Sequence, residues 1–374
     1  MINRPKITPS QLNMFTETVT DIYRALENEI FLMIAKRLKT SKDISKDTVL
    51  EWQVDKLNQL RMVNNETIKS LSQATGIAEK EIRQAIKDAG ISTIQSVDDE
   101  LKEVYPKLPM PSHIDRILES FVEQTFRELD NYVNQTLITT NFGEGTVTRL
   151  YRKIVEETTG RVLAGTTTIS KAVAETVIKW SSKGIETAFI DRGGHVWTLE
   201  RYADTVIRAT VNRTYNELRL SRMAEHGVDL VLVSTLPDPR EICSHAQGKV
   251  LSMSGNDPNH PAIEKYGYGT PGGLRGINCR HILYPFVEGL NANNQRQYSN
   301  EEMIHNRELS QKQRYLERRV KEAKRSLKLA EEIDDESTIG KYKQLVRNRQ
   351  AAVREFVADN SLTRRYDKER VLTK

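Results

Sequence analysis

The sequence predicts an α+β protein that is predominantly helical, and three observations carry that prediction. Apolar residues recur at three- and four-residue steps over the first 140 residues and again after residue 309, the spacing that lines one face of a helix. Segments with the character of strands are confined to 228–286. The composition, 38% hydrophobic and 29% charged over 374 residues, suits a soluble, helix-friendly chain of two or three domains.

Phe15, Val19, Ile22, Leu26 and Ile30 share one helical face, and Ser10 stands where an N-cap is expected. A second periodic stretch holds Trp52, Leu57, Leu60 and Val63. Ala74 to Gly90 reads as a small helical unit that Gly90 would close as a C-cap. Pro106, Pro109 and Pro111 break the pattern and mark a boundary. Ser112 opens the next helix, with Ile114, Ile117, Leu118, Phe121 and Phe126 on or near its buried side.

Further helices are predicted from about Thr146 to Thr158 and from Thr168 to Ser182. Asp191-Arg192-Gly193-Gly194-His195 reads as a turn. A long helix capped by Thr198 should run to about His226 and end at Gly227. Val228 to Ser234, Lys249 to Met253 and His281 to Phe286 are the expected short strands, separated by loops rich in Gly, Pro and Asn.

The last segment carries the cleanest pattern. Leu316, Val320, Ala323, Leu327 and Ala330 form one heptad seam, and Ile339, Tyr342, Val346, Arg349, Val353 and Phe356 form another. The polar turn Asp334-Asp335-Glu336-Ser337 between them predicts an antiparallel helical hairpin. Arg349 is tolerated in its seam if its head reaches water. Four segments result: an N-terminal helical region 1–110, central helices 111–197, a small α/β module 198–290, and a basic helical hairpin and tail 291–374.

The net charge of +5 sits in that last segment, where 20 Lys and Arg face 14 Asp and Glu; elsewhere 36 basic and 37 acidic residues nearly cancel. A basic face of this kind suits nucleic acid or an acidic protein surface, or is simply solvated. No apolar run approaches the roughly 20 residues of a membrane helix. Met1 to Ser10 has no apolar core of a secretion signal. Two cysteines fit a reducing compartment.

Chemistry, if any, centres on Cys243-Ser244-His245 and Cys279-Arg280-His281. Two thiolates and two imidazoles are the donor set of a tetrahedral structural zinc site, and Cys243, His245, Cys279 and His281 are the candidate ligands. One residue between the members of each pair is tight spacing, though i and i+2 share a face in a strand. Packing without metal, a Cys243–Cys279 disulfide, and a Cys243 nucleophile with His245 or His281 as its base stay open as alternatives. Asp238 and Glu241 are carboxylates that could orient an imidazole. Gly267-Tyr268-Gly269-Thr270-Pro271-Gly272-Gly273 lacks the Gly-Lys-Ser/Thr ending of a phosphate loop and reads as a loop between strands. No other cofactor is indicated.

Gln247-Gly248-Lys249-Val250, Gly276-Ile277-Asn278-Cys279-Arg280-His281 leading into Tyr284-Pro285-Phe286, and the ending Leu362 to Val371 after a charged hairpin together resemble the phage minor capsid protein 2 family. The resemblance covers most of the chain and is strongest from about 198 onward. The middle module is also similar to the phage Mu F-like head morphogenesis domain. There a Cys-x-x-Cys pair precedes a Gly-Lys turn and a His-Pro-x-Cys-Arg-Cys run closes the module. Cys243 matches the second cysteine of the pair, Cys279 the first cysteine of the run, and His281 its last. Arg240 stands in place of the other paired cysteine and Gly276 in place of the histidine, and His245 could substitute as a ligand. The resemblance implies a minor structural protein of a tailed-phage head, present in the virion in few copies and in the host cytoplasm during assembly. It would associate with the portal protein or other head proteins, with weak DNA contact at most, and act in head morphogenesis or DNA delivery without catalytic residues. The competing reading is a Cys–His hydrolase or effector enzyme packaged in the virion.

Overall fold

The computed structural model describes residues 9–40, 43–138, 143–165, 167–276, 279–290 and 292–372. The side chains of residues 9–15 lie outside that description, and with them the expected cap Ser10 and the seam residue Phe15. The protein is a predominantly helical α+β structure, as its sequence predicts. The first elements are α1 (Pro9–Leu38), α2 (Val49–Asn58), α3 (Leu60–Leu101) and α4 (Ile114–Leu129), which runs through a π-helical turn into α5 (Gln135–Leu137). Then come α6 (Thr146–Leu163), α7 (Ile169–Lys183), β1 (Glu186–Ile190), β2 (Val196–Thr198) and α8 (Leu199–Glu225). The chain closes with β3 (Leu230–Val233), α9 (Glu241–Ser244), β4 (Val250–Ser252), β5 (Leu283–Phe286), α10 (Asn300–Ile333) and α11 (Glu336–Asp359). Two compact units form. One gathers Met1–Val19, Glu79–Arg127 and Asp204–Ser310; the other gathers Thr20–Ala78, Glu128–Ala203 and Gln311–Lys374.

The first unit holds an antiparallel sheet in the order β4-β3-β5. The central β3 reads Leu-Val-Leu-Val and is buried along its length, which is why its sequence is apolar without alternation. Val231 is paired with Leu251 on one side and Pro285 on the other. A proline is tolerated there because β5 is an edge strand. Val231, Val233, Leu251 and Leu283 pack with Val97 and Leu101 of α3 and Met223 of α8. Two arginines of α8 tie these elements together. Arg219 pairs with Glu100 and donates to the Leu283 carbonyl. Arg222 grips Asp98 with two bonds of 2.6 and 2.8 Å and donates to the Leu108 and Pro109 carbonyls, so it also orders the proline-containing connection. His226 completes the group at 2.9 Å from Asp98.

Gly90 does not end a helix. It lies inside the 42-residue α3, where a Cβ would press into Leu118 and Leu218. The glycine permits close helix packing, and a C-cap and a packing glycine look the same in one sequence. The following helix starts at Ile114 rather than Ser112. Gly227, by contrast, does close α8, at φ +73°.

In the second unit α6 packs against α2 and α7, and Thr168 caps α7 by accepting from the Lys171 amide. Asp191–His195 is a turn as expected, but it joins β1 to β2, a hairpin that the sequence pattern did not disclose. Asp191 organises it, accepting from the Gly193 and His195 amides and from the Trp197 indole. Phe189, Trp197, Tyr202 and Tyr132 cluster with ring centroids 4.9–6.5 Å apart.

The C-terminal hairpin is present, with a tighter turn than its sequence suggested. Only Asp334 and Asp335 separate α10 from α11, and Asp335 caps α11 by accepting from the Thr338 amide at 2.9 Å. Val320, Ala323, Ala330 and Val353 of the expected seams are buried, while Leu316, Leu327 and Arg349 are half-buried. The tail is clamped by two bidentate pairs. Arg365 holds the buried Glu317 of α10, and Arg364 holds the buried Glu369, with bonds of 2.7–2.8 Å.

Candidate functional site

The first unit brings three of the four proposed ligands together. Cys243 is carried by α9, which follows β3. Cys279 and His281 immediately precede β5. The β3–β5 pairing extends past the strand ends, since the Ser234 amide donates to the Ile282 carbonyl and the Ile282 amide to the Ser234 hydroxyl. That extension fixes where His281 enters. The sulfurs of Cys243 and Cys279 are 3.8 Å apart, and Nδ1 of His281 is 3.5 Å from the Cys279 sulfur. All three side chains are buried, in a core shared with Leu251, Ile263 and Leu274.

Four further residues surround them, and the sequence reading assigned none of these a role at the site. Gln247 Oε1 accepts from the Leu236 amide at 3.1 Å and lies 3.2 Å from His281 Nε2. Gln247 Nε2 donates to Met303 Sδ at 2.9 Å. Arg240 donates to the Cys243 sulfur at 3.0 Å and to the Gly273 carbonyl at 2.7 Å. Arg275 donates to the carbonyls of His281 and Asn212. Arg240 thus occupies the position of the missing paired cysteine and contacts its sulfur partner instead. At Gly276, a Cβ would collide with the Thr270 and Pro271 carbonyls, so this loop geometry has no room for a histidine there. Ile277 and Asn278 lie outside the described residues.

His245 is not part of the cluster. It is exposed at the C-terminal cap of α9, while Cys243, two residues earlier, points inward. In a strand alternate residues share a face. The local structure is helical, and there they diverge. Asp238 receives Arg280 at 2.8 Å, and Glu241 is exposed at 4.0 Å from Arg307, so Gln247 is the side chain that orients His281. The glycine-rich stretch folds back on itself: Gly269 donates to Leu274, Thr270 and Leu274 donate to Gly267 and Tyr266, and Gly267 adopts φ +65°. The amides of Gly267, Gly269, Thr270 and Gly273 are turned to internal partners rather than toward an anion.

The thiols behave as a pair. The hydrogen bond from Cys243 holds the Cys279 thiol far below its ordinary range, against the effect of burial and helped by His281 and Arg275. The same bond, with burial, pushes Cys243 up. A thiolate held this way is a good soft-metal ligand. As a nucleophile it would need a substrate to reach the sulfur of a residue that is 3% exposed.

Comparison with known proteins gives the setting. The chain matches the family model described as phage minor capsid protein 2 over residues 7–358. This chain belongs to that family. It is also 34% identical over 362 residues to a structural protein of Lactococcus phage LL-H, covering 94% of this chain and 98% of that one. A structural protein of Lactococcus phage mv4 is 44% identical over 116 residues, 31% of this chain and 94% of that shorter protein. No solved structure matches. A minor capsid protein is a component of the virion, and no described helix is long and apolar enough to cross a membrane.

Proposed function

We propose that the chain acts at the portal or inner face of the phage head, in head morphogenesis or DNA delivery, as a structural partner rather than an enzyme. One observation carries this reading. Residues 340–354 of α11 include Lys341, Lys343, Arg347, Arg349 and Arg354 and no acidic residue. Part of the positive charge elsewhere in the C-terminal segment is used internally: Lys321 and Arg325 of α10 meet Glu200, and Arg364 and Arg365 hold the tail. Lys343, Arg347 and Arg354 recur near one angular position of the helix and are exposed. A rigid helix with one basic stripe fits an acidic surface of a neighbouring head protein, and the portal is the occupant we favour.

Co-expression of the full chain with the portal protein of the same phage, followed by affinity capture, tests this. The pair should co-elute, and Lys343→Glu with Arg347→Glu should abolish co-elution while leaving the fold intact. DNA contact should be weak, sequence-independent and lost near physiological salt, because each neutralised phosphate releases counterions. A folded chain that ignores the portal, or DNA binding that survives physiological salt, would reverse this ranking of partners.

A further inference from the structure

We propose that Cys243, Cys279 and His281 hold a single zinc ion that clamps the small α/β module of the first unit. The three donor atoms are grouped as such an ion needs, whatever the chain does at the portal. A tetrahedral zinc ion binds thiolate sulfur near ~2.3 Å and imidazole nitrogen near ~2.0 Å. Those lengths and the tetrahedral angle require sulfur–sulfur edges of about 3.8 Å and sulfur–nitrogen edges of about 3.5 Å. The structure has 3.8 Å between the two sulfurs and 3.5 Å between the Cys279 sulfur and His281 Nδ1. The three donor atoms all lie within 4.8 Å of one another. A disulfide would need the sulfurs at about 2.05 Å.

The imidazole is also set in the correct tautomer. The Leu236 amide can only donate, so the Gln247 atom it meets must be the carbonyl oxygen. That oxygen faces His281 Nε2 at 3.2 Å, and two acceptors cannot bond, so Nε2 carries the proton. Nδ1 then faces the sulfurs, and in the neutral ring it presents its lone pair to an ion seated among them. Resident metal sites commonly fix a ligating histidine through its other nitrogen in this way. Charge agrees as well. A divalent ion with two thiolates and a neutral imidazole adds no net charge to the interior, and Arg240 donating to the Cys243 sulfur tempers the thiolate.

Among the described residues no fourth Cys, His, Asp or Glu joins the group, which leaves the fourth corner to a small ligand such as water. All three donors are buried, so that corner faces protein rather than a substrate cleft, and the ion's role is to join α9 to the start of β5. His245 has no part in it.

Elemental analysis of the full-length protein purified without chelator reads the proposal directly. About one zinc per chain is expected, retained in His245→Ala and lost in Cys279→Ser and in His281→Ala. Should those variants fail to fold, cobalt added to the metal-stripped wild-type chain should give the absorption of a tetrahedral site with thiolate-to-cobalt charge transfer. Zinc near zero together with no cobalt band in a folded protein overturns the proposal. Zinc that persists in both ligand variants, zinc lost in His245→Ala, or a Cys243–Cys279 disulfide in the purified chain does so too.

Discussion

Each unit buries a cluster of charges, and the two clusters are matched differently. In the first, Asp98 is matched by the two nitrogens of Arg222 and by His226, and the remaining arginine donors reach Glu225 and two backbone carbonyls. In the second, Arg24, Lys321 and Arg325 converge on Glu200, while Glu27 beside them has Arg325 as its cation. The outcome differs for the two glutamates. Burial pushes both carboxyls up; at Glu200 the Lys321 and Arg24 charges overcome it and hold the pKa at about 2, whereas at Glu27 burial prevails over Arg325 and the pKa is raised. A saturated ion pair locks one arrangement, whereas an unevenly matched cluster contains a charge the fold would rather not carry.

The largest effect is expected in the first unit. Asp98→Ala leaves Arg222 buried with no bidentate partner and should cost about 3–5 kcal/mol, the usual penalty for breaking a buried pair. Urea unfolding should show the midpoint fall, and a loss below about 1 kcal/mol would mean that Glu225 and the Leu108 and Pro109 carbonyls suffice for Arg222.

Smaller effects should separate the two glutamates. Because the folded pKa of Glu200 is depressed, its contribution is present above the unfolded value of about 4.3 and is lost as pH falls toward about 2. Glu200→Gln should therefore destabilise at pH 7 by about 2–3 kcal/mol and flatten the acid limb of the stability profile. Glu27 has the opposite sign: its raised pKa makes ionisation a cost that grows as pH rises above the unfolded value. Glu27→Gln should leave stability at pH 7 unchanged or improve it. Chemical unfolding across pH 3–7 decides both, and equal destabilisation by the two substitutions would dissolve the distinction between them.

The sequence made periodic features legible and left contextual ones hidden. The β3 run, the long α8 closed by Gly227 and the two arms of the hairpin all follow from spacing and caps, which are local properties. Gly90 misled because its use is set by Leu118 and Leu218, residues distant in the chain. The α10 seam was legible at Val320 and Ala323, but the same helix also buries Gln313 and Glu317, which bind the tail at the Thr363 carbonyl and Arg365. Polar residues buried for a partner have no apolar period to reveal them. At the site, Cys243, Cys279 and His281 were legible as residue types. His245 was misplaced because a four-residue helix stands where a strand was assumed, and Gln247 had no signal beyond its place in the family-like Gln-Gly-Lys-Val run.

Cross-linking mass spectrometry on purified virions tests the central functional claim most directly, with a reagent that joins lysines to nearby lysines and carboxylates. Lys341 and Lys343 should form links to the portal protein, and Lys343→Glu with Arg347→Glu should deplete the chain from particles. Links from these two lysines that run only to the major shell would move the contact from the portal to the inner face of the head, and a chain absent from virions altogether would contradict the account.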